Sequence, residues 1–106
     1  MSYGLSHGAR STKVSGVLRL ESVEAYDVVL ASARSGLTSA DAHYTLDLSG
    51  VSLMNSSGIR ALANLVLVAK QHGAQLTILG AQSVAWQRKT MASLAALYDR
   101  LEIKLA

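Results

Sequence analysis

The run of this chain best suited to chemistry is Met54-Asn55-Ser56-Ser57-Gly58. Two hydroxyls sit side by side ahead of Ile59, Leu62, Ala63, Val66 and Ala69, which recur at helical spacing. That spacing predicts a helix starting at Ser56 or Ser57. The first N–H groups of a helix lack internal partners, and the helix dipole is positive there. An anion is stabilised at such a point. A phosphate on either serine would add roughly −1.5 to −2 charges at neutral pH. The helix end could hold it without unfolding, and a partner would meet a changed surface. Asn, Ser and Gly are also ordinary capping residues, so local physics alone makes Asn55 or Ser56 simply the N-cap. Upstream, Asp47 lies at the end of a short strand and Ser49-Gly50 reads as a turn.

Other chemistries find little support. His7, His43 and His72 are far apart and have no ligand spacing, and the absence of Cys excludes disulfides and thiolate metal sites. No Gly-rich phosphate loop is present. Asp47, Ser56 and His72 can be written down as a triad, but no nucleophile elbow surrounds the serine. We therefore expect no enzyme activity, no metal and no cofactor. The net charge of +3 is scattered, and Arg88-Lys89 is its densest pair. A basic stripe with stacking aromatics is missing, which argues against nucleic-acid binding. Trp86 falls off the inward stripe drawn through Val84, Met91, Leu94 and Ala95. It is either a partner anchor beside Arg88 or a cover for the sheet edge.

These residues need a scaffold, and the 106-residue length suits one domain, 1–106. Half of the chain is apolar and 16% is charged, with no Phe and no Pro. A core of Leu, Ala and Val suits helices packed closely on a sheet. Neither a basic start nor an apolar run follows Met1-Ser2-Tyr3-Gly4, and the longest apolar stretch, Leu65 to Ala69, is too short to span a bilayer. The expectation is a cytoplasmic chain without membrane insertion.

Strands are expected at 3–8 and Lys13 to Leu20, joined by a turn at Arg10-Ser11-Thr12 into a hairpin. Ser22 reads as the N-cap of a helix carrying Val23, Tyr26, Leu30 and Ala33 inward, with Gly36 as its C-cap. Residues 37–43 read as a polar loop. Short strands follow at Tyr44 to Leu48 and Val51 to Met54, then the helix closed by Gly73, a strand at Gln75 to Leu79, a helix over 82–97 and a last strand at Glu102 to Leu105. The fold class is α/β. The order β-β-α-β-α-β-α-β predicts a mixed sheet of four to five strands covered by about three helices.

The stretch Leu46-Asp47-Leu48-Ser49, Val51, Met54 and Asn55-Ser56-Ser57-Gly58-Ile59 resembles the signature of the STAS family, the sulfate transporter and anti-sigma factor antagonist domain. There an apolar strand ends in Asp-Leu-Ser, followed by Val, an apolar residue and Asp-Ser-Ser/Thr-Gly-Leu/Ile. Val14-Ser15-Gly16-Val17-Leu18 and Gly73-Ala74-Gln75-Leu76 extend the likeness over most of the chain.

The resemblance implies a bacterial, non-enzymatic partner-switching regulator of transcription, a monomer or weak dimer. An anti-sigma-type protein kinase would phosphorylate Ser56, and a phosphatase would reset it. Ser57 would take the second hydroxyl position and Asp47 would lie near the phosphosite. Ser49, Met54, Asn55 and Gly58 would surround it and meet the partner. Asn55 stands where the family has Asp: it keeps shape and capping ability but removes a charge. That either eases the holding of a phosphate or removes an acid the kinase needs. Two other readings are a constitutive STAS subunit docked on a transporter ATPase or scaffold, and a helix end that binds a nucleotide or lipid phosphate.

Overall fold

The computed structural model describes residues 2–39 and 41–106. Met1, at the start read for a leader, and Ala40, inside the expected 37–43 loop, lie outside the described residues. The elements run β1 (Ser2–Gly8), β2 (Ser11–Leu18), a 3-10 turn (Glu24–Tyr26), α1 (Asp27–Gly36), β3 (His43–Met54), α2 (Ser56–His72), β4 (Gln75–Gly80), α3 (Ala85–Ala95) and β5 (Leu101–Leu105). The five strands lie in the order β1-β2-β3-β4-β5. β1 and β2 are antiparallel, and every later neighbour is parallel. The expected mixed α/β architecture is present.

Three parallel connections advance in one direction across the sheet. Right-handed crossovers therefore place α1, α2 and α3 on the same face. The strands show it: Tyr44, Leu46 and Leu48 of β3 are buried, while Thr45, Asp47 and Ser49 between them are only half-buried. The helix-covered face holds the core, including Val14, Leu18, Leu30, Leu62, Leu65, Val66 and Ile78. The opposite face is polar. There Thr77 hydrogen-bonds His43 Nε2 at 2.9 Å and Glu102 Oε1 at 3.4 Å.

Several expectations shift in detail. The hairpin turn is tighter than Arg10-Ser11-Thr12: Gly8 pairs directly with Ser11, and Ser11 and Thr12 already belong to β2. A Cβ on Gly8 would come 2.5 Å from Ser11 Oγ, so a larger residue there would turn the Ser11 hydroxyl aside. β2 ends at Leu18 rather than Leu20. Ser22 does cap its turn, accepting from the Ala25 N–H at 3.1 Å. The 37–43 stretch is not wholly polar, because Leu37 is fully buried under α1.

The largest correction concerns Ser49-Gly50. It is no turn: β3 runs unbroken for 12 residues. The register against β2 slips twice, between Lys13 and Ser15 and between Gly16 and Val17, each time with one extra residue on β3. Bulges of this kind bend a strand and interrupt its ladder. Asp47 Oδ1 replaces part of the lost bonding, accepting from the Ser49 N–H at 2.9 Å and the Ser49 hydroxyl at 2.6 Å. Gly50 lies against Ser15, whose Cβ would be 3.0 Å from any Cβ added there.

β3 outruns its other neighbour. Its ladder with β4 ends at Asp47 paired with Leu79. Past that point β3 would present bare carbonyls, and α3 supplies donors instead. Gln87, 0% exposed, donates through Nε2 to Leu48 O at 2.8 Å and Val51 O at 3.0 Å. Its Oε1 accepts from the Ala81 N–H at 2.8 Å. The Trp86 indole N–H also reaches Val51 O, at 3.2 Å. Trp86 is thus half-buried against the sheet, which is the edge-covering alternative. Ala95 faces solvent, and Gln87, Met91 and Leu94 form the inward side of α3.

Candidate functional site at the start of the second helix

The end of β3 delivers Met54 to the core and Asn55 to the head of α2. Asn55 adopts extended backbone, φ −78° and ψ 174°, and is the N-cap. Its Oδ1 accepts from the Gly58 N–H at 3.1 Å, satisfying one of the free donors of the first turn. The same oxygen accepts from the Tyr26 hydroxyl at 2.6 Å. Its Nδ2 donates to Leu20 O at 2.8 Å. The main chain adds Asn55 N–H to Leu18 O and Ile59 N–H to Asn55 O, both at 3.1 Å. One side chain therefore ties the end of β3, the loop after β2, the turn before α1 and the head of α2.

The Leu20 bond explains the residue type. A carbonyl oxygen asks for a donor, and an amide supplies one where an ionised carboxylate cannot. At the far end of α2, Gly73 takes the left-handed conformation, φ 69°, as the expected C-cap.

Gly58 is buried because Tyr26 crosses the first turn. A Cβ there would lie 2.7 Å from both Tyr26 Cζ and the Tyr26 hydroxyl oxygen, and would run into Met54 Cγ. Tyr26 is 1% exposed. Burial pushes its phenol pKa above 10.0, tempered by hydrogen bonding with the backbone of Leu20 and Asn55. Ser56 is exposed at the first helical position, and Ser57, next to it, is half-buried. Arg60, also exposed, lies four residues beyond Ser56 and hence on its side of the helix. No acid occurs in the first turn of α2.

Met54, Asn55, Ser56, Ser57 and Gly58 are thus brought together. Asp47 and Ser49 are not. They bond to each other on the polar face of the sheet, and Asp47 lies seven residues before Met54, about 20 Å along an extended strand. The Asp47, Ser56 and His72 triad is not assembled either, since the two ends of the 17-residue α2 are about 24 Å apart. Among the described residues no cluster of three His, Cys, Asp or Glu is placed to hold a metal. Tyr26 and the Leu20 carbonyl complete the cap and were not singled out from the sequence. Tyr26 was legible as a core position, but its hydroxyl contact spans 29 residues.

These features define an α/β domain with helices on one sheet face and a rigidly capped, serine-bearing helix start. The chain belongs to the family described as "Mlab, STAS domain", whose model matches residues 4–102. A crystal structure of an anti-sigma factor antagonist from Mycobacterium paratuberculosis is similar to it, with a TM-score of 0.58 over 95% of this chain and 84% of that one. At 14% identity that likeness establishes the shared fold. No curated protein shows a significant match. No helix among the described residues is long and apolar enough to cross a membrane.

Proposed function

We propose that this chain is a non-enzymatic partner-switching regulator. It binds an anti-sigma-type protein kinase through the surface around the head of α2, and phosphorylation of Ser56 releases it until a phosphatase resets it. The observation that carries this reading is the exposed Ser56 on a cap made rigid by Asn55. Asn55 already takes the Gly58 N–H. A phosphate on Ser56 would meet the positive end of the helix, with Arg60 one turn away as a counter-charge. The cap would keep its geometry while the surface changes sign. Ser57, half-buried, is the weaker acceptor.

The test is intact-mass measurement after incubation with the candidate kinase and ATP, alongside calorimetric binding of wild type and Ser56→Asp. One phosphate lost in Ser56→Ala, together with weakened binding of Ser56→Asp, supports the reading. No added phosphate and unchanged binding would sink it.

A second reading, a constitutive subunit docked on an ATPase or scaffold, is favoured by one observation. The Asn55 side chain is engaged at both ends within the fold, at the position where the family resemblance expects an acid. A complex that survives high salt from the native cell and ignores Ser56→Asp selects this reading.

A further inference from the structure

β5 is an edge strand, bonded to β4 on one side. The phase of that bonding fixes what its free side offers. Ala106 gives its N–H to Gly80 O and accepts from the Gln82 N–H, so its polar groups point toward β4. Backbone direction alternates along a strand. Glu102 and Lys104 therefore also direct their N–H and C=O inward, and Leu101, Ile103 and Leu105 direct theirs to the open edge. The Leu101 N–H is taken by Tyr98 O. Both polar groups of Ile103 and Leu105, and the Leu101 carbonyl, remain on offer.

The side chains are equally ordered. Leu101, Ile103 and Leu105 face the helix layer, and Glu102 and Lys104 stand exposed on the other face. A groove of about 380 Å³ lies along the edge, lined by Met91, Ala92 and Ala95 of α3 with Ile103 and Leu105, and by the polar Gln82 and Arg88.

We propose that this edge is a self-recognition surface, on which a second copy of this chain adds its own β5 antiparallel, centred on Ile103 against the partner's Ile103. In that register Ile103 and the partner's Ile103 exchange two backbone bonds. The Leu105 N–H of each copy reaches the Leu101 carbonyl of the other. Glu102 stands opposite the partner's Lys104, twice by symmetry, at the non-hydrogen-bonded positions where side chains approach most closely. The leucines and isoleucines meet on the helix side beside the groove, and the two sheets become one.

The charge order singles out a second copy in this orientation. Parallel addition in register would set Glu102 beside the partner's Glu102, and like charges directly opposite oppose pairing, while a two-residue parallel shift would match only one Glu–Lys pair. A lone lysine on a short edge strand ordinarily keeps edges apart. Here the acid two residues away, now 3.6 Å from Lys104 within one chain, gives that lysine a match across the two-fold. The other edge, β1, has the sequence SYGLSHG and carries no Asp, Glu, Lys or Arg to supply such a pair.

The proposal is independent of Ser56, and its test uses the whole chain. Sedimentation should show a monomer–dimer equilibrium, weakened about tenfold or more by Lys104→Glu and restored by the double exchange Glu102→Lys with Lys104→Glu. Circular dichroism verifies that each variant is folded. The chain has no cysteine, so cross-linking reads the register directly. A mixture of Glu102→Cys and Lys104→Cys should form disulfide-linked dimer at least about tenfold faster than either variant alone. A strictly monomeric chain, a dimer indifferent to charge reversal, or equal cross-linking in all three samples overturns it.

Discussion

Replacing Gln87 tests how β3 survives beyond β4. In Gln87→Leu the apolar volume is nearly kept, but Leu48 O and the Ala81 N–H lose their partner. Val51 O keeps the Trp86 indole. Each orphaned buried group costs about 1–3 kcal/mol, so two cost about 2–6, and the added apolar burial brings the net loss to about 3 kcal/mol. For a domain of this size that lowers Tm by about 12–24 °C.

Gln87→Glu separates shape from hydrogen bonding. The new carboxyl is buried, which raises its pKa above the unfolded value of about 4.3. Protonated, it accepts from the Ala81 N–H and donates to Leu48 O. Ionised, it faces two carbonyls. The raised folded value means that stability is present below about pH 4 and is lost as pH rises through the folded pKa. Urea unfolding at pH 4.5 and 7.5, followed by the single tryptophan, measures both variants against wild type. A Gln87→Leu loss below about 0.5 kcal/mol, or a Gln87→Glu loss that does not change with pH, refutes the claim that this amide stands in for a strand.

Three further outcomes follow from the cap. Gly58→Ala gains about 1 kcal/mol of helix propensity but drives a methyl into Tyr26 and Met54 at about 1–3 kcal/mol, for a net loss of up to about 2 kcal/mol in urea unfolding. Tyr26 has its folded pKa above 10.0, so its contribution is full below pH 10 and falls as pH climbs through the folded value. Tyr26→Phe should flatten that alkaline loss and cost about 1 kcal/mol at neutral pH, read by unfolding across pH 7–11. Ser56→Asp should raise stability by about 0.3–1 kcal/mol through the helix dipole while weakening the partner complex, read by melting and by calorimetry.

The elements were legible where side-chain period and punctuation agree. Asn55 and Gly73 bracket α2 because capping and left-handed closure are local chemistry, visible in a few residues. Ser49-Gly50 reads as a turn in the sequence, but Gly50 has a second use. Glycine after serine ordinarily marks a turn, but here it clears the side chain of Ser15 on the neighbouring strand. With the strand continuous, the acid falls far from the serines and on the other face. Gln87 escaped notice because a polar residue on an inward stripe breaks the binary pattern. Its burial follows from where β4 stops, which no spacing within α3 encodes. The Tyr26 and Leu20 contacts to Asn55 join segments 29 and 35 residues apart, beyond the reach of any local pattern.

The spatial order of the strands is also their order along the chain. Each strand pairs with the one made just before it, so none must wedge between two that have already joined. A chain leaving the ribosome N-terminus first can therefore assemble by accretion, each new strand finding an open template and each helix laid over it before the next arrives. Loop-closure entropy is then met in separate small steps. Interruption at any stage leaves a sheet whose growing end is exposed. This topology makes α3 and β5 the last pieces added to the sheet, so the grip of Gln87 on β3 forms only after β4 is in place.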